Sequence, residues 1–362
     1  VSTDRTDLPL GERWSPPAAM APPPFPSATD AAAYLVEWDG LSSARLLVRL
    51  QNQGLRCRIT TRGFTVLTSE GERAFGPGVL LIPAQQSGVE QEATRDLVMD
   101  AARSANAKVY AAATALTLEG PDLGTGSALA LEPPAVALLT GSGASSTRTG
   151  ETWEFLTATL GVPVSLLDLT RLEHSDLDRY GVIVFAGGSA QDSALVGLGK
   201  WIEDGGRLVA LGSAVDDVTN AELIQLTPRP FNLDSLTADV RWSDRSVARA
   251  AHFVGGAILL TELDPTHPLA YGIGDALPTF RSSSDFYDAL PGDAVGRYSE
   301  FPVLAGYVSN PRRLTIPGSV AVAASRKGRG AVIVILDEPV FRGFWLGSAR
   351  LLANAVFLGG SF

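Results

Sequence analysis

The sequence predicts an α/β protein of two units with mainly parallel sheets, and two observations carry that reading. Apolar runs of strand length, bounded by glycine, proline and serine, alternate with segments whose apolar residues recur every three or four positions. That is the rhythm of strand–helix–strand units, which build parallel sheets. The 362 residues are 45% hydrophobic and 19% charged, enough apolar side chain for more than one core.

Residues 1–28 contain Pro9, Pro16, Pro17, Pro22, Pro23, Pro24 and Pro26 with little aliphatic periodicity, and read as an extended linker. A small α/β unit follows over 29–132. Ala33–Val36 reads as a strand. Ser42 or Ser43 then caps a helix that has Leu46, Leu47 and Leu50 on one face and Gly54 at its end, before a strand at Arg56–Thr60. Val79–Pro83 is a buried strand, and Val89–Ala105 is a helix presenting Ala93, Leu97, Ala101 and Ala105 together. Lys108–Ala112 is a further strand. The Gly-, Pro- and Thr-rich stretch 113–134 closes on Glu132-Pro133-Pro134 and marks a boundary.

The second unit occupies 133–362. Ala135–Thr140 is its first strand. Thr149 begins a helix with Trp153, Leu156 and Leu160 that stops at Gly161. Val164–Leu167 and Val182–Ala186 are strands, and a helix over Leu195–Asp204 leads through Gly205-Gly206 into the strand Arg207–Leu211. From about 227 to 319 the helical rhythm fails. Pro228, Pro230, Pro265, Pro268, Pro278 and Pro291, with alternation around Ala238–Trp242, predict a β- and loop-rich insertion. Strand Ala331–Leu336 and a helix over Trp345–Phe357 restore the α/β pattern.

A net charge of −10 without clustered Lys or Arg argues against nucleic acid or an anionic lipid surface as partner. The longest apolar runs are too short for a membrane span. The single cysteine, Cys57, excludes an intramolecular disulfide framework and a cysteine-rich metal site, and reads as core filler. The chain opens at Val1 without a leader pattern and reads as a processed or excised piece of a longer polypeptide.

Two stretches, Val182-Ile-Val-Phe-Ala-Gly-Gly-Ser189 and Gly205-Gly-Arg-Leu-Val-Ala-Leu-Gly-Ser213, resemble a glutamine amidotransferase-like α/β domain of flavodoxin-like fold. In that family the first glycine pair supplies N–H groups near an oxyanion, and the second strand ends in a turn bearing a cysteine nucleophile. Here the turn is Leu211-Gly212-Ser213-Ala214, without cysteine. Further stretches are Asp122-Leu-Gly-Thr-Gly-Ser127, Val136-Ala-Leu-Leu-Thr-Gly-Ser-Gly-Ala-Ser145, Gly150-Glu-Thr-Trp-Glu-Phe155, Asp264-Pro-Thr-His-Pro-Leu-Ala-Tyr-Gly272 and Phe341-Arg-Gly-Phe-Trp-Leu-Gly-Ser-Ala-Arg-Leu351. From about Ala31 to Phe362 the chain thereby resembles the C-terminal region of large bacterial zinc carboxypeptidase-like proteins of carboxypeptidase A type.

The resemblance implies a non-catalytic accessory or interaction region of a secreted or periplasmic protein, with the peptidase domain missing. Its partners would be that upstream domain or another protein, with a second copy of this chain as a further reading. Zinc is implied only for the absent domain, and no cofactor for this one. The histidines continue as His174-Ser-Asp-Leu177, His252-Phe-Val-Gly255 and His267-Pro-Leu-Ala270, so none forms the His-x-x-Glu pair such a zinc site uses.

Four groups of residues merit a place in the structure. Ser213 stands at the nucleophile turn, with Gly212 one residue earlier as the other reading of that position, and it has no assigned base. Gly187 and Gly188 are the oxyanion donors of an alternative reading, a Ser213-dependent hydrolase or amidase; the bland reading is a tight turn. Gly141–Ser146 falls where phosphate loops sit, yet Ser146 replaces the last glycine of the fingerprint and Asp168 only loosely supplies its acid. Asp337 and Glu338 end a predicted parallel strand, and either face a crevice or pair with Arg342 to hold the last helix.

Overall fold

The computed structural model describes residues 22–27, 30–190 and 195–362. Most of the proline-rich segment lies outside the described residues. Residues 22–27 form no helix or strand, and Phe25 packs on Tyr34 with ring centroids 5.7 Å apart.

The first unit runs β1 (Ala33–Glu37), α1 (Leu41–Asn52), β2 (Cys57–Thr60), β3 (Phe64–Thr68), β4 (Gly71–Phe75), β5 (Val79–Pro83), α2 (Gln91–Ala105), β6 (Tyr110–Ala112) and β7 (Ala128–Leu131). Its seven-stranded sheet has the order β4-β3-β6-β1-β5-β2-β7, and its pairings are antiparallel. This corrects the mainly parallel reading. β1 and β2 do run the same way, as a strand–helix–strand unit requires, but β5 enters between them in the opposite direction. Local alternation specifies element type; which strands become neighbours depends on long-range packing. β7 likewise forms inside the stretch expected to be a boundary loop.

Two helix details also differ. Gly40 precedes α1, and the Ser43 hydroxyl donates back to its carbonyl at 2.7 Å, so the cap expected from Ser42 or Ser43 is not made. The buried stripe of α2 is Thr94, Val98, Ala101, Ala102 and Ala105, one residue round from the expected Ala93 and Leu97.

The second unit contains β8 (Val136–Thr140), α3 (Ser146–Glu154, continuing as a π-helical turn to Thr159), β9 (Val164–Asp168), β10 (Val182–Phe185), α4 (Leu198–Glu203), β11 (Arg207–Leu211) and α5 (Ala214–Asn220). Then come β12 (Leu226–Pro228), β13 (Ala257–Leu263), β14 (Ala276–Arg281), β15 (Tyr287–Ala289), β16 (Ala294–Gly306), β17 (Val320–Lys327), β18 (Gly330–Ile335) and α6 (Ala349–Leu358). The nine-stranded sheet has the order β14-β13-β16-β17-β18-β11-β10-β8-β9. The run β9-β8-β10-β11-β18 is parallel throughout. Numbered among themselves these strands lie 2-1-3-4-5, the flavodoxin-like doubly wound order. The other half is antiparallel.

The β-rich stretch therefore extends the main sheet through β13, β14 and β16, while β12 and β15 form a separate ribbon. The alternation at Ala238–Trp242 makes no strand. Helix α3 begins at Ser146 under a Ser145 cap, earlier than Thr149, and Trp153 is 46% exposed while Leu156 and Leu160 are buried. Residues Trp345–Ser348 precede the last helix, which starts at Ala349.

One apolar core joins the units. Leu46, Leu50 and Trp38 from the first, Leu138, Val209 and Ile333 from the second sheet, and Leu352 and Val356 of α6 belong to it. Each such side chain contributes roughly 1.5–3 kcal/mol on burial. Asn354 is the polar exception: it accepts from Trp38 Nε1 at 2.7 Å and donates to the carbonyls of Leu269 and Tyr271 at 2.9 and 3.0 Å. Among the described residues no helix is long and apolar enough to cross a membrane.

Candidate functional site

In a doubly wound sheet ligands meet the carboxyl ends of the strands, where the strand order reverses. That reversal falls between β8 and β10, and the loops leaving them are hydrogen-bonded to each other. Ser145 N–H donates to the Gly187 carbonyl and Ser189 N–H to the Gly143 carbonyl, both at 2.8 Å, and Ala144 and Gly188 form an isolated bridge. Gly187 and Gly188 have φ of 126° and 148°. A Cβ on Gly188 would run into the Gly143 carbonyl, so this glycine is required by the close approach of the two loops.

The strand-to-helix turn after β11 carries its positive φ, 53°, at Gly212, whereas Ser213 is ordinary right-handed helical backbone. A nucleophile elbow puts its reactive side chain on the strained residue. Gly212 therefore holds that position, and a Cβ there would collide with the Arg148 guanidinium. Ser213 Oγ accepts from Gly188 N–H at 3.0 Å and donates to the Gly188 carbonyl at 3.1 Å. Its hydroxyl thus fastens the turn, and it uses the N–H that an oxyanion would need.

Among the described residues no histidine is hydrogen-bonded to it. His252 bonds Ser309 at 2.9 Å, and His267 caps a short helical turn by accepting from Leu269 N–H while its ring packs on Phe362. His174 ends a 3-10 turn.

Arg148 fills the space above these turns. It donates to Glu338 at 2.6 Å and to Ser282 at 3.0 Å, and the Ser282 hydroxyl also bonds Glu338. Its Cδ lies 2.8 Å from where a Cβ of Gly187 would be, and its Nη1 is buried without a hydrogen-bond partner among the described residues. The cavity left between Arg148, Glu151, Gly212, Glu338 and Phe341 is about 10 Å³, the room of roughly one water. Burial pushes the Glu151 carboxyl up, the Arg342 backbone pulls it down, and the neighbouring Glu338 pushes it up again.

Asp337 points into the sheet. Tyr298 donates to it at 2.6 Å and Arg281 lies 3.5 Å away, while burial pushes its carboxyl up against the pull of that arginine. The pair expected between Asp337-Glu338 and Arg342 does not form, since Arg148 and Arg281 take the carboxylates and Arg342 lies over the Phe341 ring.

Asp168 does stand beside Gly141, where a dinucleotide site has its acid, but its Oδ1 accepts from Thr170 N–H and hydroxyl, both at 2.8 Å. Outside that loop an open hollow of about 410 Å³ is lined by Thr140, Ala144, Thr149, Trp153 and Leu166. Among the described residues no group of three or more His, Cys, Asp or Glu is placed to hold a metal.

Sequence reasoning missed Arg148, Glu151, Ser282 and Arg281. Arg148 did leave a signal, because a cation in the first turn of a helix opposes the helix dipole and needs an acid from elsewhere to hold it.

No family model and no curated protein matches the chain. Similar solved structures include a protein described as a GMP synthase subunit from Thermoplasma acidophilum, 13% identical over 62% of this chain and 92% of that one, TM-score 0.40. A glutamine amidotransferase from Thermotoga maritima is 10% identical over 57% of this chain and 76% of that one, TM-score 0.35. A β-galactosidase from Bacillus circulans is 14% identical over 62% of this chain and 30% of its own length, TM-score 0.34. At these scores they bring neither a family nor an activity to this chain.

Proposed function

We propose that this chain is a non-catalytic accessory or interaction region with an amidotransferase-like fold, part of a secreted or periplasmic zinc carboxypeptidase-like protein. The observation that carries the non-catalytic part is the closure over Gly212: the strained elbow residue has no side chain, and Arg148, anchored by Glu338, occupies the space a nucleophile and its substrate would need. Ser213 is turned to Gly188, and among the described residues no general base bonds its hydroxyl, which a hydroxyl nucleophile requires. The hollow bearing exposed Trp153 and Leu166 supports a docking role, since exposed aromatic and aliphatic side chains together favour partner contact. The carboxypeptidase context rests on the sequence resemblance alone.

The test is activity-based labelling of the full chain. A serine-directed fluorophosphonate should leave Ser213 unmodified, and ester and anilide substrates should show no turnover that Ser213→Ala removes. Labelling at Ser213 would make the chain a hydrolase. The context is tested by the genomic reading frame, which should continue upstream of Val1 into a domain containing His-x-x-Glu; an upstream frame without one removes the peptidase from the reading.

A further inference from the structure

An arginine-lined concavity unused by that reading lies at the opposite end of the parallel strands. In the sheet register Arg326 of β17 is paired with Ala331 of β18, and Ala331 is paired with Arg207 of β11. Residues in register on neighbouring strands project to the same face, and strands lie roughly 4.8 Å apart. The two arginines therefore stand on one face, about 10 Å apart at their backbones, with only a methyl group between them.

Further along the same strands this face is wholly apolar: Val209 and Leu211, Ile333 and Ile335, Val322 and Ala324 all enter the shared core. The alternation thus puts two guanidinium groups where it would otherwise continue the core. Arg329, on the turn joining β17 to β18, joins them and is steadied by the Asp204 carbonyl at 2.7 Å.

The hollow they surround is about 440 Å³, within the range of small-molecule sites. Leu129, Leu131, Phe357 and Phe362 give it apolar walls, and among the described residues Glu132 is the one acidic side chain on its lining. Among the described residues the Arg207 side chain makes a single long hydrogen bond, from Nε to the Gly181 carbonyl at 3.4 Å, and neither it nor Arg326 has an ion-pair partner. Burial holds the Arg207 guanidinium below its usual range, as expected for a cation that lacks a counter-charge.

We propose that this hollow is an anion-binding site, taking a small organic molecule whose phosphate or carboxylate group sits across Arg207 and Arg326 with its apolar part against Leu131 and Phe357. Planar guanidinium forks suit either oxyanion. The inference is independent of the closed crevice and of the accessory reading.

The experiment is calorimetric titration of the full chain at fixed ionic strength with four probes: inorganic phosphate, adenosine monophosphate, succinate and chloride. Saturable binding of phosphate or the nucleotide assigns a phosphate ligand, and binding of succinate alone assigns a carboxylate. In either case Arg326→Gln with Arg329→Gln should weaken binding about ten-fold or more, since the first removes a charge-assisted bond and the second a positive charge at the rim. These side chains are exposed, so the double variant should keep the wild-type melting temperature, and Arg207→Gln serves as a second, half-buried variant. The inference is overturned if no probe binds more tightly than chloride, or if the double variant binds with unchanged affinity.

Discussion

At the carboxyl ends of β10, β11 and β18 the space above the sheet is filled by Arg148, Ser282 and Glu338, and about 10 Å³ remains. At the amino ends of β11 and β18 a hollow of about 440 Å³ stands beside Arg207 and Arg326. Both places use arginine on a glycine- and alanine-lined floor. In one the guanidinium is matched by a carboxylate at 2.6 Å and packed down; in the other, among the described residues, neither Arg207 nor Arg326 has such a match. The difference teaches that an arginine seals a cleft when an acid is provided for it and leaves a cleft receptive when none is. Position in the fold does not decide where a ligand goes; the side chains do.

The strongest way to break the comparison is through its glycines. Gly188→Val at the sealed end meets the Gly143 carbonyl, and Gly206→Val near the open end meets the Trp201 indole. Each should cost roughly 3 kcal/mol in urea denaturation, the scale of forcing a branched side chain into rigid surroundings.

Arg148→Ala comes next. It leaves the mostly buried Glu338 without its cation, and should cost about 2 kcal/mol, less than a fully buried pair because Arg148 retains some exposure. Adding Glu338→Gln should recover part of that loss in a double-mutant cycle. Additive losses would mean that Arg148 does not seal the crevice through Glu338.

Ser213→Ala removes a hydroxyl bonded twice to Gly188 and should cost no more than about 1 kcal/mol, with the fold unchanged by circular dichroism.

The smallest effects probe the open end. Cys57, beneath a neighbouring hollow, is buried and its thiol is pushed up to about 12, so iodoacetamide at pH 8.5 should modify it only as fast as the chain unfolds. Prompt alkylation in the folded state would show that this end opens spontaneously. His267, packed on Phe362, has its pKa lowered by burial. Its neutral form therefore stabilises the fold above the unfolded imidazole value near 6.5, and that contribution is lost as pH falls through the folded value. His267→Gln should flatten the part of the stability profile that lies just below about pH 6.5.

The parallel half of the large sheet was legible in the sequence because its strands, such as Val182–Phe185 and the Leu208–Leu211 part of β11, are continuous apolar runs, which strands buried on both faces require. The first sheet was not, because β3 and β4 form a short hairpin with neither a continuous apolar run nor a strict alternation, and β7 is a four-residue edge in a glycine-rich stretch. Gly187, Gly188, Ser213 and Glu338 were each visible as strand-end residues. What brings them together, Arg148 from α3 and Ser282 beyond β14, was invisible because Glu338 lies 190 residues from one and 56 from the other. No local periodicity encodes a meeting over such separations.

The amide of Asn354 bears on how the chain is made. It accepts from Trp38 across a separation of 316 residues and closes the core the two units share. A ribosome adds about 5–20 residues per second, so Trp38 emerges roughly 15–60 s before Asn354 and the helix that carries it. For that whole interval Trp38 lacks the Asn354 amide, and the first unit's share of the common core lacks the second unit's side chains. A nascent chain stalled short of residue 349 should be bound by hydrophobic-surface chaperones, and one stalled well beyond residue 358 should be released.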